Sequence, residues 1–376
     1  MKLHLISAPI RTVLTLIICL VFVLSACTPA EAPEAPTTAA PLEPTKTEAK
    51  TPSKLDGMEL GFINWGNASE YQIAQSAWFK QFAEAEGAKV TIMDGKIDPA
   101  TQVKALDDLI AAGVDGIILQ AVDPVATAPS VKAAREAGIV VMQIGGLPDP
   151  SAVVPAGGVF NDEALARVAA GNAVAWLKEN KPGEKAKVVL FDVPSVIVCH
   201  EWRMVAFLDE INKLMGAENV EVVFNDFVDH NLETVVAKME DLIQSGADFN
   251  IFSACGGTGA IGGLDAMKAA GKGVAAEGIP QDVWVLSIDA TPAELEYLVN
   301  PQSSLVNTIA LTPKNNAQVF MDNFKKMLTG EIGLDSDFVA PAPGVMLNKS
   351  DGCQAISEKL ADQYEIVPGY EALKCK

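Results

Sequence analysis

The sequence predicts an α/β fold made of two doubly wound parallel-sheet lobes. Apolar runs rich in β-branched residues recur along the chain, and a segment of helical period follows each of them. Apolar strands that alternate with helices are typical of parallel sheets buried on both faces. The runs fall into two series of about four, and each series predicts one lobe.

The first series of strands lies at residues 60–63, 90–92, 117–119 and 140–142, and the second at residues 188–191, 220–223, 251–252 and 283–286. The first intervening helix carries an apolar stripe at Ala74, Ala77, Trp78, Phe82 and Ala85. Gly87 follows this stripe, at a place where a residue in the left-handed conformation commonly ends a helix.

Residues 1–26 have the organisation of a bacterial signal peptide. Lys2 and Arg11 precede an uncharged apolar run over residues 12–24, which is too short to span a membrane comfortably. The run ends in LSAC at residues 24–27, which is similar to the lipobox of bacterial lipoproteins and predicts a diacylated Cys27. The alternatives are an uncleaved anchor and an ordinary secretory leader.

Residues 27–56 predict a tether that joins the lipid anchor to a folded body starting near Gly57. The segment contains six prolines among Ala, Thr and Glu, and it has no aromatic residue. Such a composition cannot form a core and favours extended conformations. We therefore expect an extracytoplasmic protein, lipid-anchored to the bacterial cell membrane on its periplasmic side or outer surface.

The charge balance argues against a nucleic-acid partner. The chain has 48 acidic and 28 basic residues, a formal net charge of -20, and its sequence shows no basic patch that could attract a phosphate backbone. Loss of Lys2 and Arg11 with the leader would take the charge to -22, that is, -20 minus 2. We expect a globular monomer.

Four cysteines remain after cleavage and lipidation, and an oxidising compartment permits them to form disulfides. We favour Cys353 with Cys375, which would staple the C-terminal tail, and Cys199 with Cys255, since each of the latter follows a predicted strand. The alternative is four buried or free thiols.

A binding site is expected in the loops that follow the strands, because ligands of open parallel sheets bind beyond the carboxyl ends of the strands. These loops contain neutral hydrogen-bonding groups and aromatic rings, which suit a small polar organic molecule. The candidate ligand-binding residues are Asn64, Trp65, Ser69, Tyr71, Gln120, Gln143, Asn161, His200, Glu201, Arg203 and Asp289.

The order of leader, lipobox, tether and two lobes resembles the type I periplasmic binding proteins, most closely the ribose-binding-protein-like, sugar-type solute receptors of ABC importers. The segments that carry the resemblance are DGIIL at residues 115–119, AGIVV at residues 137–141 and LSID at residues 286–289. The resemblance covers about residues 57–350 and implies three hinge crossings, near residues 160–162, 311–313 and 337–340.

These crossings imply a division of the chain into domains. Residues 57–161 with 312–338 would form the N-terminal lobe, and residues 162–311 with 339–350 the C-terminal lobe. Residues 351–376 would form a tail, stapled by the disulfide.

The ligand contacts of the family transfer only in part. Asp289 matches its family position. The aromatic pair that the family has at the start of the first helix falls on Tyr71 and Gln72, so Gln72 is added to the candidate ligand-binding residues. Trp65 could replace the aromatic ring that is missing at Gln72. An acidic residue and an arginine are usual after the fourth strand, where this chain has glycine at residues 145 and 146.

Three further family positions also differ. The usual arginine before the sixth helix falls near Glu201, with Arg203 close by, and the usual asparagine and glutamine of later loops fall near Gly256 and Leu311.

Several candidates have a structural alternative. Asp289 could cap the next helix, but TPAE at residues 291–294 already supplies an N-cap, a proline at N1 and a reciprocal glutamate, which leaves Asp289 available to a ligand. Trp65 and Tyr71 could instead cover the end of the first strand. Asn67 or Ser69 could cap the first helix.

The segment GTGAIG at residues 257–262 matches a dinucleotide-binding fingerprint, with Glu277 as an apparent ribose acceptor. Its glycines can equally allow tight packing of a helix on a sheet, the interpretation we favour, and we expect no cofactor. The motifs of common hydrolases and metal sites are absent from the sequence, so His200 and His230 are not expected to act in catalysis or metal binding.

The resemblance implies an extracytoplasmic solute-binding lipoprotein that captures a small polar, sugar-like solute by hinge closure and presents it to an ABC permease. One alternative is a receptor for a nucleoside, quorum signal or other polar metabolite. A less favoured alternative is an exported enzyme on the same fold.

Overall fold

A computed structural model describes residues 55–160, 162–194, 196–229, 231–342, 344–360, 362–368 and 373–375. The proposed signal peptide, Cys27 and most of the tether lie outside these residues, as do Asn161 and His230. Leu55 is fully buried in the core, so the folded body begins at least two residues before Gly57, within the segment predicted to be tether.

The strands of the described residues are, in chain order, β1 (Glu59–Ile63), β2 (Lys89–Met93), β3 (Gly116–Leu119), β4 (Val140–Gly145), β5 (Ala156–Val159), β6 (Ala186–Asp192), β7 (Val220–Phe227), β8 (Ile251–Ala254), β9 (Ala275–Ala276), β10 (Ile279–Pro280), β11 (Trp284–Asp289), β12 (Leu305–Ala310), β13 (Val339–Pro341) and β14 (Val345–Asn348). All eight predicted strands are among them.

The α-helices of the same residues are α1 (Glu70–Ala85), α2 (Pro99–Ala112), α3 (Pro124–Glu136), α4 (Glu163–Asn180), α5 (Ala206–Met215), α6 (Leu232–Gln244), α7 (Gly257–Ala269), α8 (Pro292–Val299), α9 (Pro313–Leu328) and α10 (Cys353–Leu360). A π-helical segment, Val198–Val205, leads into α5. In the described part of the chain, no helix combines the length and the apolar character needed to cross a membrane.

Two six-stranded sheets form the two lobes within the described residues. The first has the order β13-β5-β4-β3-β1-β2 and is parallel throughout, and the second has the order β14-β12-β11-β8-β6-β7, with β14 antiparallel to β12. The α/β class with two parallel-sheet lobes is therefore confirmed.

Each sheet contains strands that the sequence pattern did not reveal. β5 is AGGV, and glycines are depleted in strands. Here they permit close packing: a Cβ on Gly157 would lie 1.9 Å from Met142 Sδ, and one on Gly158 would lie 2.0 Å from Phe320 Cε1. The glycines of β5 therefore bring this strand close to its neighbours.

The chain passes between the sheets in three places. β5 of the first sheet leads to α4, which packs on α5, and β12 of the second leads to α9, which packs on α1. The third passage differs from the predicted one. β13 pairs with the edge of β5 in the first sheet, so residues 339–341 belong to the N-terminal lobe and the passage lies between β13 and β14.

The C-terminal tail contacts both lobes. A disulfide joins Cys353 to Cys375, and Ile356 and Leu360 of α10 are buried in the core of the second lobe. Further along, the indole N–H of Trp78 in α1 donates to the Gln363 carbonyl oxygen at 2.7 Å. The tail thus links the second lobe to the first helix of the chain.

Candidate functional site

A cavity of about 450 Å³ lies between the lobes, beyond the carboxyl ends of the strands of both sheets. Loops after β1, β2, β3 and β4 line it from the first lobe, and loops after β6, β8 and β11 line it from the second. Phe160 and Leu311, at the first two passages between the sheets, complete the lining. The lobes come close here, since a Cβ on Gly146 would lie 3.7 Å from Val198 Cγ2.

Arg203 supplies a buried cation to the cavity. Its Nε donates to Asp162 Oδ2 at 2.7 Å, and its Nη1 donates to the Cys255 carbonyl oxygen at 2.7 Å. Asp162 is fully buried, and its Oδ1 has no hydrogen-bond partner among the described residues. Two fixed hydrogen bonds hold the guanidinium plane at the cavity wall, where it can bind a ligand oxygen.

Asp289 supplies a carboxylate at the end of β11. Its Oδ2 accepts from the Gly257 N–H at 3.4 Å, and its backbone has a positive φ of 109°. Burial raises the pKa of Asp289 to about 6, while the positive charge of Arg203 acts in the opposite direction. A carboxylate in this position can accept hydrogen bonds from ligand hydroxyls.

The predicted capping box of the next helix is confirmed. Thr291 caps α8, and its N–H donates to Glu294 Oε2 at 2.7 Å. Asp289 is therefore not needed to cap α8. Burial, with added repulsion from Asp289, raises the pKa of Glu294 to about 8.

Two glutamines from the first lobe form part of the cavity wall. Gln72 and Gln120 both line it and are buried, and the Oε1 atom of each has no hydrogen-bond partner among the described residues. Unpartnered buried acceptors are costly unless a donor reaches them. The two amides therefore retain hydrogen-bonding capacity that no described residue uses.

Gln102, which the sequence analysis did not single out, supports this arrangement. Its Nε2 donates to the carbonyl oxygens of Asn64 at 3.0 Å and Gln120 at 2.8 Å, and its Oε1 accepts from the Val122 N–H at 2.8 Å. It lies in α2 and not in a loop that directly follows a strand, so only the tertiary structure reveals its role.

Six of the twelve sequence candidates line the cavity: Trp65, Ser69, Gln72, Gln120, Arg203 and Asp289. Ser69 is also the N-cap of α1, where its hydroxyl accepts from the Tyr71 N–H at 3.2 Å. Asn161 lies outside the described residues. Contact of these side chains with a ligand stays a prediction.

Three candidates are buried and take part in structural hydrogen bonds instead. Asn64 donates to Asn67 Oδ1 at 2.6 Å and accepts from the Gly95 N–H at 3.2 Å. The Tyr71 hydroxyl accepts from Asn316 Nδ2 at 3.1 Å and from Gln75. Gln143 Nε2 donates to the Leu147 carbonyl oxygen at 2.8 Å and so holds the loop that follows β4.

The last two candidates point away from the cavity. His200 Nδ1 lies 2.5 Å from Asp192 Oδ2, and the side chain of Glu201 is 58% exposed. Both belong to the π-helical segment, which also carries Arg203. Of these three residues, only Arg203 lines the cavity. His200 and Glu201 do not line the cavity in this structure, and their contact with the ligand stays a prediction.

A disulfide between Cys199 and Cys255, the pairing favoured above, forms part of the cavity wall. It joins the π-helical segment to the loop after β8. The Cys255 carbonyl oxygen also accepts from Arg203, so the disulfide and this hydrogen bond connect the same two segments of the chain.

The glycines of the GTGAIG segment allow close packing of α7. A Cβ on Gly262 would lie 2.6 Å from Val235 Cγ1, and one on Gly257 would lie 2.3 Å from Glu294 Oε2. The helix N-terminus already donates to Asp289. Glu277, the apparent ribose acceptor, is exposed and does not line the cavity.

Apolar side chains line much of the cavity, and the sequence analysis did not include them. They come from the same loops and comprise Ile97, Val122, Pro124, Val125, Leu147, Pro148, Pro150, Val196, Ile197 and Val198. The position of LPDP at residues 147–150, just beyond the end of β4, is sufficient to predict an apolar contribution to the cavity. Hydrogen-bonding and aromatic groups alone do not indicate it.

Comparison with known proteins finds relatives that are named as sugar-binding proteins. The chain is 28% identical over 233 residues to the ribose import binding protein of Bacillus subtilis, covering 62% of this chain and 69% of that protein. It is 24% identical to the galactofuranose-binding protein of Escherichia coli, with 72% and 82% covered.

Solved structures share the fold at lower identity. A solute-binding protein of an ABC transporter from Burkholderia graminis, in complex with D-arabinose, has a TM-score of 0.67 at 17% identity, with 80% of this chain and 98% of that chain covered. An ABC sugar transporter subunit from Rhodobacter sphaeroides has a TM-score of 0.64 at 22% identity, with 79% and 100% covered. The family model of the periplasmic binding protein domain matches residues 60–332, and the chain belongs to this family of type I periplasmic binding proteins.

Proposed function

We propose that this protein is the solute-binding lipoprotein of an ABC importer and that it captures a small polar, sugar-like solute by closure of its two lobes. The observation that carries the proposal is one cavity, lined from both lobes and from the passages between them, with unpartnered buried acceptors in its wall. Named relatives that bind ribose and galactofuranose support the sugar-like class.

The proposed contacts divide between the lobes. Gln72 and Gln120 would accept hydrogen bonds from ligand hydroxyls on the first lobe, and Asp289 would do so on the second. Arg203 would donate to a ligand oxygen. Trp65 would pack against an apolar ring face. Because both lobes contribute contacts, the closed form binds the solute better, and the solute shifts the population toward it.

The family is one of extracytoplasmic solute-binding proteins. Within it, we assign this chain a lipid anchor at Cys27 and a tether up to residue 54, because the lipobox-like LSAC and the proline-rich composition support both. An ABC permease is the proposed partner in the membrane, and the protein is proposed to act as a monomer.

The test is identification of the ligand. Protein purified without added sugar is denatured, and the released compound is identified by mass spectrometry. A thermal-shift panel of sugars and nucleosides then measures binding, since a ligand at a hundred times its Kd stabilises the folded state by about 2.7 kcal/mol. We expect a sugar-like compound to raise the melting temperature and to reduce the radius of gyration in solution scattering.

Two results would contradict the proposal. One is recovery of a chemically altered ligand after incubation, which indicates turnover. The other is stabilisation by a nucleoside alone, which supports the alternative receptor.

A further inference from the structure

The cavity changes in character from its floor to its mouth. Its floor is mixed, since Gln72, Gln120 and Arg203 are 8%, 7% and 5% exposed and the apolar Phe160, Val198 and Leu311 are buried beside them. Its mouth is mostly apolar, since the most exposed lining side chains include Val125, Leu147 and Ile197, at 69%, 44% and 55%. We call these last three residues the apolar mouth.

The apolar mouth contains side chains from both lobes. Val125 begins α3 and Leu147 follows β4, whereas Ile197 follows β6 in the second lobe. A single exposed aliphatic side chain is ordinary on a protein surface. Three that line one cavity, on opposite sides of the cleft, form a surface that an apolar group of a bound molecule would cover.

The floor selects for a different chemistry. The unpartnered Oε1 atoms of Gln72 and Gln120 and the carboxylate of Asp289 all require hydrogen-bond donors. A free monosaccharide carries hydroxyls around its whole edge. Those facing the apolar mouth would find no hydrogen-bond partner among its aliphatic side chains, and each one that closure of the lobes removes from water would weaken binding. The two regions together therefore suit a molecule whose hydroxyls lie at one end.

We propose that the ligand is a sugar-like molecule with an alkyl or aryl substituent, bound with its hydroxyls on the floor and its substituent in the apolar mouth. This inference rests on the proposed function, and it specifies the substrate class. The cavity volume of about 450 Å³ is within the range of roughly 300–1,000 Å³ that holds drug-sized ligands.

The test uses matched ligands and isothermal titration calorimetry on the full folded chain. The probes are D-ribose, D-arabinose and D-galactose, each with its methyl, butyl and phenyl glycosides in both anomeric forms. Each buried methylene contributes about a four-fold gain in affinity. We expect at least one butyl glycoside to bind ten-fold or more tightly than its methyl counterpart, with a more negative heat-capacity change.

Variants locate the gain in the apolar mouth. In Leu147→Ser and Ile197→Ser, the ratio of butyl to methyl glycoside affinity should fall several-fold. The matched control is Val168→Ser, which replaces a side chain that is 52% exposed on α4 outside the cavity and should leave the ratio unchanged.

The outcomes separate this inference from the proposed function. If the free sugars bind and no substituent improves affinity, the substituent is excluded and sugar capture stands. If both mouth variants retain the wild-type ratio, the inference is also overturned, and a contact with the permease becomes the better account of the apolar mouth. If no sugar or glycoside binds at all, the proposed function fails with it.

Discussion

The buried carboxyl of Glu294 should make the stability of this protein depend on pH. The side chain is fully buried, and its two oxygens accept from the Thr291 N–H at 2.7 Å and the Thr308 hydroxyl at 3.3 Å. Burial raises the pKa of Glu294 to about 8 from an ordinary value of 4.5. The folded protein therefore retains a proton that the unfolded chain releases as the pH rises above about 4.5.

The sign and the size of the effect follow from this difference. The protonated Glu294 carboxyl contributes stability that is fully present below its ordinary pKa of 4.5. This contribution is lost as the pH rises through the pKa of Glu294 in the folded state. One proton of difference gives a slope of about 1.4 kcal/mol per pH unit. Glu294→Gln removes the titrating group and keeps an acceptor oxygen. Between pH 6.5 and 7.5, the variant should gain about 1.4 kcal/mol relative to the wild type.

Urea unfolding at pH 5.5, 6.5 and 7.5 measures this gain, provided that the m-values of the two proteins agree. Any packing difference between Glu and Gln shifts the whole profile without changing its slope. The control is Glu296→Gln, an exposed residue of the same helix, whose profile should run parallel to that of the wild type. Parallel profiles for Glu294→Gln would refute the reasoning, because they would mean that Glu294 releases its proton equally in both states.

Three further predictions concern the site and its supporting packing. Because the pKa of Asp289 is about 6, calorimetric affinity for a neutral sugar should fall as the pH is lowered from 7 to 5, where the carboxylate is lost. Arg203→Met should lower the free energy of unfolding by about 3–5 kcal/mol, because it leaves the buried Asp162 carboxylate without its cation. Gly158→Ala should lower the melting temperature, since the new Cβ would lie 2.0 Å from the Phe320 ring.

The two substitutions each have a matched comparison. Arg167→Met removes a more exposed arginine of α4 and should cost about 1 kcal/mol or less. Gly171→Ala places a Cβ where no heavy atom lies within 4 Å, in a helix interior, and should not destabilise the protein. Affinity that stays constant from pH 7 to 5, or similar losses in the test and comparison variants, would contradict the assigned roles.

The sequence determined the class of fold and the location of the site. Apolar runs separated by helical segments identify parallel strands without any knowledge of their partners, and the rule that ligands bind beyond the strand ends led to Gln120, Arg203 and Asp289. The capping box at residues 291–294 was also readable, because it depends only on residues three positions apart.

Only the tertiary structure decided which polar groups remain available to a ligand. Asn64 and Tyr71 have the same chemistry as the residues that line the cavity, but partners distant in the sequence use their hydrogen bonds. The amide of Gln143 is used by the carbonyl oxygen of Leu147, four residues along the chain. The position of the passage between β13 and β14 likewise depends on the pairing of β13 with β5, which are more than a hundred residues apart in the sequence. Local patterns determine what each segment can form, whereas long-range contacts decide which of its side chains face the cleft.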